Sequence, residues 1–182
     1  MIRAVTSDQV LSAFDRDHPT KPDGSNEYAR GLLIKADQQF GGTWTQVSLS
    51  QKDICGIILP PHRHGTELIP ISGMTVSAAV EKVKRAKDYQ SANPCCWKVI
   101  AHWMELYPSP VFLSIAPVTN CTDHQYLTGY QGHLIHLDGL HRLIAWGLSG
   151  KLDPATYKNG VGAYVAGMEA APDALEPGCP RR

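Results

Sequence analysis

No apolar stretch in the 182 residues approaches the roughly 18 needed to cross a bilayer, so no membrane-spanning helix is expected. An excess of charge is also missing, since 17 Lys+Arg balance 17 Asp+Glu. Proteins that live on DNA or RNA usually carry a basic surface, which removes nucleic acid from the expected partners. The opening MIRAVTSDQVLSAFDRDH lacks a signal-peptide core. Among the five cysteines there is no C-x-x-C pair, only the adjacent Cys95-Cys96. That argues against a zinc ribbon, and the odd number argues against a disulfide scaffold. Reduced cysteines and a cytoplasmic location are the resulting expectation, and no internal repeat is present.

What the chain does contain fits one α+β domain with a small mixed sheet flanked by helices. Thr6 and Gln9 form a capping-box pattern with Val5 and Val10 as its hydrophobic staple, which predicts a helix near 7–16. HPTKPDGSNE, 18–27, is a polar connection, and GLLIKA and TWTQVSLS read as strand or short helix. DICGIILP, 53–60, ends at Pro60-Pro61 and reads as a buried strand. Val76, Ala79, Val80 and Val83 recur at helical spacing from Thr75, with Lys82, Lys84, Arg85 and Lys87 as its solvated side. Pro94 opens a second helix, on which Trp97, Ile100, Ala101 and Met104 share a face. VFLSIAPV, 111–118, reads as a strand, QYLTGYQGHLIHL as a hairpin, and VGAYVA as a closing strand. Residues 1–52 form an N-terminal extension packed on a core domain of 53–170, and 171–182 a frayed tail.

HLIHLDGLHRLIAWGLSG, 133–150, runs from strand into helix through Asp138-Gly139-Leu140-His141-Arg142. Leu140, Leu143, Ile144, Gly147 and Leu148 make the apolar face that packs on the sheet, and Gly150 caps the C-terminus. His141 and Arg142 then point toward the mouth where the strand ends. Gly139 permits close approach to the backbone. Amides of the first helical turn, the helix dipole and the Arg142 guanidinium together form an anion site suited to phosphate. Asp138 either caps the helix or holds a magnesium ion that bridges phosphates. A simple Asp-Gly cap is the competing reading. His133 and His136 flank the strand before Asp138, and alternation turns one of them toward the site.

The run Ile135 to Gly150 resembles the signature of the ParB/sulfiredoxin-like superfamily: an apolar strand, Asp-Gly-x-His-Arg, then a helix with alanine three residues after the arginine and glycine at its end. Ala145 and Gly150 hold those places, and the order of elements agrees over residues 53–166. The resemblance implies a nucleotide phosphate site at Gly139, Leu140, His141 and Arg142. Sulfiredoxins carry a catalytic cysteine where this chain has Leu140, and the partitioning proteins carry a DNA-binding domain after the signature, where this chain has about 30 residues. The layout is closest to the kinases that phosphorylate free serine. That branch implies an upstream carboxylate as base; Glu67, with His62 or His64 nearby, is the candidate, although an insertion separates the histidines from it. ATP or ADP with magnesium would be the phosphate donor, and a small hydroxylated metabolite such as a serine-like amino acid the acceptor.

A second motif competes. Gly56-IILPP-His62-Arg-His64-GT-Glu67-LIPIS-Gly73 resembles the first metal-binding motif of the cupins, one residue short in each of the last two gaps. Two histidines and a carboxylate at alternating strand positions can bind a transition metal. A cupin barrel needs continuous strand afterwards, whereas 75–107 reads as helical. Three functions therefore stand at this stage: a nucleotide-dependent phosphotransferase with Glu67, Asp138 and His141 as catalytic groups, a non-catalytic nucleotide-binding regulatory module, and a metal-dependent cupin-like enzyme using His62, His64 and Glu67.

Overall fold

The computed structural model describes residues 2–18, 25–64, 66–106, 108–130, 132–153, 155, 158 and 160–170; the side chains of Ser25, Arg63, His64, Thr66 and Glu67 lie outside that description. The N-terminal part contributes β1 (Ile2–Val5), α1 (Ser7–Asp17), α2 (Ser25–Gln39) and β2 (Trp44–Leu49). Next come α3 (Gln51–Cys55), β3 (Ile58–Leu59), β4 (His62–His64), β5 (Thr66–Ile69) and β6 (Met74–Thr75). Three helices follow: α4 (Val76–Arg85), α5 (Tyr89–Ala92) and α6 (Pro94–Glu105). The chain closes with β7 (Val111–Ser114), β8 (Ile135–Asp138), α7 (Leu140–Ser149) and β9 (Val161–Ala166). No helix among the described residues is long and apolar enough to cross a membrane.

Seven strands form one mixed sheet in the order β1-β2-β9-β7-β8-β3-β6, and β4 and β5 pair separately as a short ribbon. The pairs β7/β9 and β3/β8 are parallel, and the other ladders are antiparallel. The fold is therefore α+β, a mixed sheet flanked by helices, as the pattern of elements predicts. One face carries α4, α6 and α7 around Ile100, Leu113, Leu143, Ile144 and Trp146. Across the sheet, α1 and α2 pack Phe14, Leu33 and Ala36 against Phe112, Leu137 and Tyr164. The described part of residues 1–52 is built into this architecture, because β2 pairs with β9 along its whole length and β1 lies outside it.

Local chemistry accounts for the element ends. Thr6 accepts from the Gln9 amide, and the Gln9 side chain accepts from the Thr6 amide, completing the capping box of α1. Thr75 caps α4, and Pro94 occupies the first turn of α6. At Gly150 the backbone turns left-handed (φ +72°) and ends α7.

One expectation left open between strand and helix is resolved as helix, and two others differ from the structure. GLLIKA lies inside α2, where Ala29, Leu32, Leu33 and Ala36 turn toward the second core at helical spacing. The first part of 53–60 is helical because Ser50 and Asp53 make a second capping box; only Ile58–Leu59 is strand. No hairpin arm precedes β8 among the described residues. The segment is an irregular loop fastened by buried His124, whose Nδ1 accepts from the Val118 amide while Nε2 donates to the His136 carbonyl. The tail 171–182 lies outside the described residues.

Candidate functional site

The turn at Asp138–Arg142 opens onto a cavity of about 690 Å³. Its walls are Asp17 and His18 at the end of α1, Asn26 on α2, Lys98, Val99, His102 and Trp103 on α6, and residues 138–142. Gly139 is the N-cap of α7, at φ +106°, a conformation that side chains with a Cβ rarely adopt. A Cβ there would also lie 2.9 Å from Val111 Cγ1 and 3.2 Å from Arg142 Nε. No side chain caps the first turn of α7, and its residues Leu140, His141 and Arg142 line the end of the cavity.

Arg142 does not project into the mouth as the helical wheel predicts. It is 2 % exposed and turned into the protein. Nη1 donates to Ser109 Oγ at 3.1 Å and to the Pro110 carbonyl at 3.0 Å, while Nη2 donates to Asp138 Oδ2. The guanidinium carbon stands 5.4 Å from the centre of the Trp103 ring. Arg142 is thus a strut that locks the strand–helix turn, and its charge is neutralised by Asp138. Besides Arg142, the cavity is lined by the Lys98 ammonium and by the imidazoles of His18, His102 and His141.

Asp138 is held from two sides. Its Oδ2 lies 3.1 Å from His18 Nε2, besides accepting from Arg142. Burial alone would push the carboxyl up, but the His18 hydrogen bond and the Arg142 charge outweigh it and bring the pKa down to about 2. Asp138 is therefore ionised, and it does not cap α7. His136, two residues earlier on the same face of β8, is buried, and neither ring nitrogen has a hydrogen-bond partner. Burial lowers its pKa to about 3, so the ring is neutral.

The upstream motif is arranged differently from the turn. His62, on β4, places Nε2 3.4 Å from Cys96 Sγ and meets the His141 ring edge to face, with centroids 5.0 Å apart. His64 and Glu67 lie on the β4–β5 ribbon, where Arg63 pairs with Glu67 and His64 with Thr66; the expectations for their side chains fall outside the described residues. His133 is exposed, with Nδ1 3.3 Å from the Gly56 carbonyl. The structure thus brings Asp138, Gly139, Leu140, His141 and Arg142 to one cavity and ties His62 to it through His141. Cys96, Lys98, His102, His18 and His136 belong to the same neighbourhood and carry no motif. Of these, His136 had a signal in the alternation of the strand before Asp138, and the four-residue spacing of Asp138 and Arg142 is that of a helical ion pair.

The chain belongs to a family described as DUF6309, a family of unknown function, which it matches over residues 1–181. Neither a curated protein nor a solved structure matches it.

Proposed function

We propose that the protein is a small-molecule phosphotransferase that binds a nucleotide by its phosphates at the start of α7 and passes a phosphoryl group to a small hydroxylated metabolite of serine-like type. The carrying observation is the 690 Å³ cavity whose end is formed by the uncapped first turn of α7, with Lys98, His102 and His141 in its walls. Cavities of about 300–1,000 Å³ take ligands of nucleotide size. Helix N-terminal amides and a lysine are donors suited to phosphate oxygens. The Asp-Gly-x-His-Arg resemblance supports the same reading.

Within this reading the residues divide the work. Gly139, Leu140 and His141 present the phosphate contacts, Lys98 supplies a cation, and Arg142 with Asp138 holds the turn. Asp138 fits poorly as a direct magnesium ligand, because the Arg142 guanidinium and the His18 ring already occupy its Oδ2. Magnesium would enter with ATP or ADP and would neutralise charge on the phosphates. In the transfer step the acceptor oxygen attacks the terminal phosphorus, the bond to the bridging oxygen breaks, and the hydroxyl proton passes to Glu67.

Thermal melts with ATP, ADP and pyrophosphate, with and without magnesium, test the site, since a ligand of the native state raises Tm. Stabilisation by phosphates that is lost in Lys98→Glu is the expected result; no shift with any phosphate overturns the reading. Nucleotide consumption with free serine, abolished in Glu67→Gln while binding persists, tests the transfer. Tight binding without consumption for any hydroxylated acceptor would make the protein a nucleotide-binding regulatory module instead.

A further inference from the structure

Three side chains from three different elements converge beside the cavity. His62 comes from β4, Cys96 from the first turn of α6 and His141 from the first turn of α7. One potential ligand atom of each lies within 4.8 Å of the other two. Cys96 is 3 % exposed and the two histidines are half-buried, so the cluster is sheltered from bulk water. Helices α6 and α7 pack together, which fixes Cys96 against His141.

We propose that His62, Cys96 and His141 form a binding site for a borderline-soft divalent metal ion of the zinc type, with a fourth position left for water or a ligand atom. A thiolate and two imidazoles select zinc-like ions over magnesium or calcium, which prefer oxygen. Metal–ligand bonds of about 2.0–2.3 Å in a tetrahedral site put neighbouring ligand atoms about 3.3–3.7 Å apart. The His62–Cys96 distance of 3.4 Å already has that value. His141 has to close in by at most about 1.5 Å, which a side-chain rotation provides. Capture forms the sulfur–metal bond and releases the Cys96 thiol proton to solvent, while both imidazoles bind in the neutral form.

A thiol–imidazole nucleophile is the other chemistry these atoms offer. The burial of Cys96 and the presence of a second imidazole both favour a ligand set over an attacking thiol. This inference goes beyond the phosphate reading and does not depend on it, although His141 is common to both. A dication held by His141 would add positive charge beside the α7 amides and so strengthen their attraction for an anion.

Cobalt(II) titration of the full-length, metal-free chain, without nucleotide, is the test. One equivalent is expected to bind with a thiolate-to-cobalt charge-transfer band and the intense visible bands of four-coordinate cobalt, and zinc is expected to displace it. Cys96→Ser should abolish the charge-transfer band and His62→Ala should weaken binding at least tenfold, whereas Cys95→Ser leaves both unchanged. Because Cys96→Ser keeps the α7 turn, phosphate-dependent stabilisation should survive in it; Lys98→Glu should show the reverse pattern. The absence of stoichiometric cobalt binding by the wild-type chain overturns the proposal, whatever the folding of the variants. So does a charge-transfer band that follows Cys95, or rapid alkylation of Cys96 in a protein that takes up no metal.

Discussion

His18 Nε2 lies 3.1 Å from Asp138 Oδ2, which joins the end of α1 to the turn that starts α7 across the edge of the cavity. The other ring nitrogen of His18 is 2.9 Å from the Phe14 carbonyl, and the ring stacks on Phe14 with centroids 4.1 Å apart. Carboxylate and carbonyl are both acceptors, so the ring bridges two acceptor groups. The first helix of the chain thereby holds the acidic residue that positions Arg142.

Asp138 should make the protein acid-sensitive in a defined window. Its pKa falls from 3.8 to about 2 on folding, because the His18 and Arg142 interactions outweigh the opposing effect of burial. A carboxyl lowered in the native state stabilises fully above its unfolded value and loses that contribution as pH falls through the folded one. The contribution is about 2 kcal/mol, lost between roughly pH 4 and pH 2. Urea unfolding of wild type and Asp138→Asn across this range checks it. The variant should be less stable by about 3–5 kcal/mol near neutrality, since Arg142 is left buried without its counter-charge, and the gap should narrow below pH 4.

His136 predicts a separate window at higher pH. Its surroundings include Asp138, Arg142, His124 and His141, and burial dominates them, lowering the pKa from 6.5 to about 3. The unfolded chain therefore takes up a proton at this residue that the native state refuses. Stability should fall as pH drops below about 6.5, by about 1.4 kcal/mol per unit, until roughly pH 3. His124, which burial also shifts downward, adds to the same slope. In His136→Leu the pH dependence of unfolding between these limits should lose one proton per molecule; an unchanged slope would show that His136 is charged in the native protein.

Packing between α4 and α7 rests on the absence of a side chain at Gly147. A Cβ there would sit 2.5 Å from Val80 Cγ2. Gly147→Ala should cost about 1–3 kcal/mol by overpacking, even though alanine is the better helix former. Pairing it with Val80→Ala should recover part of the loss, and a double-mutant cycle by chemical denaturation measures the coupling.

Helices α1, α4, α6 and α7 and their ends were legible because their signals are local. Thr6 with Gln9, the stripe from Val76 to Val83, Pro94 and Gly150 all mark what the structure contains. The capping box at Ser50 and Asp53 was equally local and went unread under the apolar run that follows it. GLLIKA is too short a window to separate helix from strand, and only its extension back to Ala29 and on to Phe40 reveals the helical period. Of the site, the turn from Asp138 to Arg142 was readable, but the inward course of Arg142 was not. That course depends on Ser109 and Pro110, which reach it from a separate loop. The meeting of Cys96 with His62 and His141 is wholly tertiary, and adjacent cysteines without metal-ligand spacing gave no hint of it.

The pairing of β2 with β9 has a consequence for biosynthesis. Residues 44–49 emerge from the ribosome long before residues 161–166, the strand they must lie against, have been made. Until then Trp44, Val47 and Leu49, all buried in the finished protein, have no sheet to join beyond β1. A nascent chain of this topology exposes an apolar strand edge throughout most of its translation, which makes it a natural client for a holding chaperone and ties its yield to the speed of elongation.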